Sequence, residues 1–161
     1  MTDTRPLHFE LRHRVAFAET DLSGCADHVG FLRWQDRCRE LFLSQYAPGL
    51  LGHQCEEAPT GPLRLFTQQL TCELLAPVAA LDEICVRLSS AEPGHSRLDL
   101  GFDHIRIGPG GAETLVARGS QRLACLSTED GTARPAPIPA DLVRALGGRT
   151  GRGLTLAGRA A

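Results

Sequence analysis

The sequence predicts an α+β domain in which one long central helix is wrapped by a five- or six-stranded antiparallel sheet. Two observations carry this expectation. A single stretch repeats its apolar residues at helical spacing, and five shorter stretches read as strands separated by Pro- and Gly-rich turns. The order is one strand, the helix, then four strands joined by short turns, which fits a long antiparallel sheet around a single helix.

The first strand is HFELRHRVAF, residues 8–17, where polar and apolar side chains roughly alternate. ETDLSG follows as a loop. Phe31, Trp34, Cys38, Leu41 and Phe42 then fall on one face of a helix over Val29–Tyr46, with Arg33, Asp36, Arg37 and Glu40 largely elsewhere. Asp27 or a neighbour is placed to cap it, because a carboxylate there accepts from the unpaired amides of the first turn. APG at 47–49 ends it. Residues 50–61 read as a loop. Strands follow at 63–76, 82–92, 96–107 and 113–127, joined by PVAALD, EPGH and GPGGAE. A short helix is expected at 140–146. The domain is expected to span residues 1–146, with a Gly-rich flexible tail at 147–161. A helix covered on one side only leaves apolar surface, so a homodimer or homotetramer is expected.

The chain has 161 residues and a net charge of -2. That suits one domain, and it carries no basic footprint for nucleic acid or a membrane surface. No apolar run is long enough to span a membrane, and the N-terminus lacks a signal-peptide core, so a cytoplasmic protein is expected. All 17 basic residues are arginine. The absence of lysine excludes Schiff-base chemistry and a P-loop. Six cysteines form no CxxC pair. They read as reduced, small apolar residues, which argues against a zinc site or a redox motif.

Three residues could carry chemistry. Asp21 sits in a loop between strand and helix, where it could project into a cleft. TDLSG is equally good sequence for a plain Asx turn. His28 lies at the helix start, where its free amide and the helix dipole could hold a thioester carbonyl and its oxyanion. The plain alternative is a surface histidine. Arg39 lies on the helix and needs a partner if buried. It could be neutralised by Glu19, Asp36 or Glu40, or it could hold a substrate carbonyl or carboxylate. No GxSxG, GxGxxG or HExxH occurs.

E-T-D-L-S-G followed by an aromatic-rich helix start resembles the D-x-D-x-x-G pattern of the 4-hydroxybenzoyl-CoA thioesterase family of hot-dog-fold proteins. The resemblance covers about residues 8–128. It implies a hot-dog fold, thioester hydrolysis and a catalytic carboxylate at Asp21, with Glu19 in the first acidic place. FLRWQDRCRELFLSQYAP, LTCELLAPVAALDEICVRL and LVARGSQRLAC are similar to the thioesterases associated with enediyne polyketide synthases. That likeness implies release of a polyketide, such as a β-keto acid, from acyl carrier protein. In that group an asparagine occupies the place of Asp21 and works with an arginine, at Arg39 here, and a tyrosine, where this chain has Phe31. The Asp21–His28 interval instead resembles the short-chain and Tol-Pal-associated acyl-CoA thioesterases.

The expected activity is therefore hydrolysis of an acyl or polyketide thioester on acyl carrier protein or CoA, for which neither a metal nor a cofactor is expected. Asp21, His28 and Arg39 are the catalytic candidates; Gly24 and Phe31 are the substrate-binding candidates. The alternatives are a general acyl-CoA thioesterase of primary metabolism, a hot-dog hydratase or dehydratase, and a non-catalytic acyl-thioester binding protein.

Overall fold

The computed structural model describes residues 7–51, 63–129, 131–147 and 155–156. Five long strands form the sheet: β1 (Leu7–Arg14), β2 (Leu63–Leu74), β3 (Glu83–Ser90), β4 (Arg97–Ile107) and β5 (Glu113–Ser127). The long helix α1 (His28–Tyr46) lies between β1 and β2 in sequence. Three short elements follow: β6 (Arg134–Pro135), α2 (Ala140–Gly147) and β7 (Thr155–Leu156). The spatial order is β2-β5-β4-β3-β1-β7, with β6 beside β5. All pairings among β1–β6 are antiparallel, while β7 runs parallel to β1. This is the predicted wrapped helix. Of the expected loop at 50–61 and tail at 147–161, residues 52–61, 148–154 and 157–161 lie outside the described residues.

The strand period of two explains the wrapping. On β3, Ile84, Val86 and Leu88 are buried; on β4, Leu98, Leu100 and Phe102; on β5, Ala117, Leu123 and Cys125. These face Phe31, Trp34, Cys38 and Phe42 of α1, all buried in the same core. Charged residues between them are ion-paired across strands. Arg87 Nε meets Glu10 at 2.7 Å, Arg118 Nε meets Asp103 at 3.0 Å, and Arg122 Nε meets Asp99 at 2.8 Å. α2 closes one side of α1 with buried Leu142 and Leu146. No described helix is long and apolar enough to cross a membrane.

β1 stops three residues short of the expected end. At Phe17–Glu19 the chain turns into a 3-10 helix. The cause is Glu19, whose Oε2 accepts from the Ala16 amide at 2.8 Å and draws the backbone out of the ladder.

Candidate active site

The loop between β1 and α1 is built around Glu19. Its Oε1 accepts from the Trp34 indole at 2.9 Å, and its Oε2 lies 2.7 Å from His13 Nε2. Burial alone would raise this carboxyl. The Ala16 amide, the Trp34 indole and His13 outweigh it and hold the carboxyl below its ordinary value. Glu19 thus ties β1 to α1 while its own carbonyl accepts from the Asp27 amide at 3.4 Å.

From that anchor the chain makes a tight hairpin. Thr20 pairs with Ala26, and the Asp21 amide donates to the Cys25 carbonyl at 2.9 Å. Gly24 closes the turn at φ 79°, a conformation that suits glycine. Asp21 stands fully exposed at the hairpin tip. Its Oδ1 accepts from the Ser23 amide at 2.7 Å and from the Ser23 hydroxyl. The Ser23 hydroxyl, then the Ser23 amide, hold the Asp21 carboxyl below its ordinary value. The Asx turn expected from the sequence is therefore present, and it keeps the carboxylate ionised and aimed outward. Phe17, Leu22 and Val29 are exposed large apolar residues of the same segment.

A second loop braces the hairpin. Cys25 pairs with Ala79, and the Ala26 amide donates to the Val78 carbonyl at 2.7 Å. Leu81 in that loop has φ 71°, a strained backbone for a branched residue. It is clamped on both sides: its amide donates to the Val15 carbonyl at 2.8 Å, and its carbonyl accepts from Arg14 at 3.0 Å.

Asp27 caps α1, its Oδ1 accepting from the Gly30 amide at 2.7 Å. His28 is the first helical residue, and its side chain is exposed. Its amide has no hydrogen-bond partner among the described residues. Asp21 and His28 thus lie at the same end of α1. Phe31 is buried, its ring 5.0 Å from Trp34 and 5.4 Å from His104.

Arg39 is elsewhere. Eleven residues at 1.5 Å rise put it about 16 Å along the helix from His28. Of the three acids that could neutralise it, Asp36 does so, at 3.4 Å. Arg39 Nη1 also donates to Gln121 Oε1 at 2.6 Å and to Thr67 Oγ1 at 3.0 Å. Thr67 sits at a break in the β2–β5 register, where a bulge re-aims side chains.

Three buried polar side chains escaped the sequence reading: Gln35 on the buried face of α1, and His104 and Gln121 on the strands beneath it. Gln35 lies across Gly119, where a Cβ would come within 1.9 Å of its Nε2. His104 Nε2 lies 3.3 Å from the Phe31 carbonyl. Burial pushes the His104 imidazole down to about 4. A polar residue at an inward strand position was the available signal. Among the described residues no cluster of His, Cys, Asp or Glu could hold a metal ion. Cys25, Cys38, Cys72, Cys85 and Cys125 are all free thiols.

Against known proteins, no family model matches the sequence, and no curated protein matches it. Solved structures do. The dynemicin thioesterase, whose crystal structures reveal induced-fit and allosteric effects upon polyene binding, is 35% identical with a TM-score of 0.76. The match covers 86% of this chain and 94% of that one. A thioesterase-superfamily protein from Jannaschia is 27% identical, covering 87% of this chain and 80% of that one, with a TM-score of 0.70. The 4-hydroxybenzoyl-CoA thioesterase in complex with 4-hydroxybenzoyl-CoA shares the fold at 15% identity and a TM-score of 0.68, covering 86% and 97% of the two chains. The chain belongs to the hot-dog-fold thioesterases. It is accordingly a thioester hydrolase.

Proposed function

We propose that this thioesterase releases an acyl or polyketide acid from a thioester carried on acyl carrier protein or CoA, with Asp21 as its reacting carboxylate. The single observation that carries the reading is the hairpin: an ionised carboxylate held at the tip of a braced turn, beside a helix start whose first amide has no hydrogen-bond partner among the described residues. The His28 amide, with the helix dipole behind it, polarises the thioester carbonyl and receives its negative charge on attack. Asp21 either takes a proton from the attacking water or attacks the carbonyl itself to give a mixed anhydride. Arg39, about 16 Å along α1 from His28, holds a substrate oxygen remote from the thioester carbonyl. The exposed Phe17, Leu22 and Val29 and the loop glycine Gly24 border the acyl group, while Phe31 supports the helix start from below.

The polyketide assignment is supported by the 35% identity to the dynemicin thioesterase. A homodimer, extensible to a homotetramer, is supported by β2. This strand ends the sheet, and none of its twelve residues is buried. Phe66, Leu70 and Leu74 are exposed on it. A long apolar edge of this kind is normally covered. Arg39 touches Thr67 on the same strand, so a partner on that edge would stand next to Arg39.

The test is thiol release from a panel of acyl-CoA and acyl-carrier-protein thioesters, comparing wild type with Asp21→Asn. The exposed Asp21 supports nothing in the core, so the variant is expected to fold normally and lose at least about a hundredfold in kcat. Near wild-type turnover in Asp21→Asn would remove Asp21 from the reaction.

A further inference from the structure

Gln121 lies on the inward face of β5, under α1, and is 1% exposed. The row it belongs to is otherwise small or apolar: Ala117, Gly119, Leu123 and Cys125. An amide costs free energy to bury unless both of its ends are satisfied. A leucine of similar volume would fill the same place without that cost, so packing alone gives no reason for a glutamine here.

Both ends of the amide are used. Oε1 accepts from Arg39 Nη1 at 2.6 Å, and Nε2 donates to Asp36 Oδ1 at 3.0 Å. Arginine can only donate and an ionised carboxylate can only accept, so the two partners dictate which end of the amide faces which. Asp36 and Arg39 themselves lie 3.4 Å apart, one turn from each other on α1. The three side chains close a ring. Thr67 Oγ1 takes a further bond from Nη1 at 3.0 Å. Nη1 is thereby committed to the protein, whereas Nη2 meets Asp36 only at 3.4 Å. An arginine side chain otherwise has many rotamers to lose when it must hold one pose. The ring removes that freedom in advance and leaves the other donors of the guanidinium for a ligand.

We propose that Gln121 is the positioning residue for Arg39: it fixes one guanidinium nitrogen, and holds Asp36 beside it, so that the remaining donors meet a substrate oxygen already oriented. Gln121 acts only through Arg39 and does not touch substrate. The inference rests on the role given to Arg39 above.

A kinetic double-mutant cycle tests it. Gln121→Leu, Arg39→Gln and the double variant are compared by thiol release, with kcat and KM resolved and thermal unfolding recorded for each. Gln121→Leu is expected to lower kcat/KM about tenfold or more in the wild-type background and less than about twofold in the Arg39→Gln background. Gln121→Glu keeps the acceptor for Arg39 but sets a second carboxylate against Asp36. It is expected to retain more activity than Gln121→Leu, and with Gln121→Asn it carries the same cycle should the leucine variant not fold. Equal losses in both backgrounds, or wild-type kcat/KM in Gln121→Leu, overturn the proposal. So does an Arg39→Gln variant as active as wild type. The cycle reads independently of Asp21, so a surviving Asp21→Asn enzyme would remove the carboxylate mechanism and leave the Gln121 result standing.

Discussion

His104 gives a pH dependence of stability that can be worked out from the fold. The ring is fully buried between Phe31, Trp34 and Ala117, and burial lowers it from 6.5 to about 4. Its folded value lies below its unfolded one, so protonation favours the unfolded chain. The stabilisation is whole above about pH 6.5 and is lost as the pH falls toward about 4. At pH 5.5 the unfolded imidazole is about nine-tenths protonated and the folded one almost neutral, a difference on the order of 1 kcal/mol that grows as the pH falls further toward about 4. Urea unfolding at pH 7.5 and 5.5, at one protein concentration, measures this directly. His104→Gln does not titrate and keeps a donor for the Phe31 carbonyl. It is expected to lose on the order of 1 kcal/mol less than wild type between the two pH values. Equal losses in the two proteins would show that His104 is protonated in the fold or hydrated, and the burial argument would fail.

Two other outcomes follow from the same geometry. Ser23→Ala removes the hydroxyl that contributes most to lowering the Asp21 carboxyl, so the acid limb of the kcat/KM profile should move to higher pH; an unmoved limb would mean that Asp21 does not set it. Gly119→Ala places a Cβ within 1.9 Å of Gln35 Nε2 and 2.8 Å of the Thr71 carbonyl, so thermal unfolding should report a loss of about 1–3 kcal/mol.

The helix and the strands β1, β3, β4 and β5 were legible because each buries one face; β2, with no buried residue, was legible from the turn sequence that follows it. The Asp21 turn was legible because TDLSG carries its own turn chemistry and needs no distant residue. The hidden parts depend on register. Glu19 draws its partners from His13 and Trp34, on two different elements. Gln121 reads as an ordinary strand residue until pairing sets it under α1. For Arg39, the sequence offered Glu19, Asp36 and Glu40; the helical turn selects Asp36, three residues back, whereas adjacent Glu40 points away. β1 was read too long because its last apolar residues, Val15 to Phe17, continue the pattern after Glu19 has already turned the chain.

The division of labour between Glu19 and Asp21 has an evolutionary consequence. Glu19 makes the contacts that tie β1 to α1, whereas Asp21 bonds only to its own turn and to nothing in the core. The group proposed to react can therefore be exchanged, acid for amide, without destabilising the protein that presents it. Position 21 is a site where new chemistry can be tried on an unchanged scaffold, while position 19 is not.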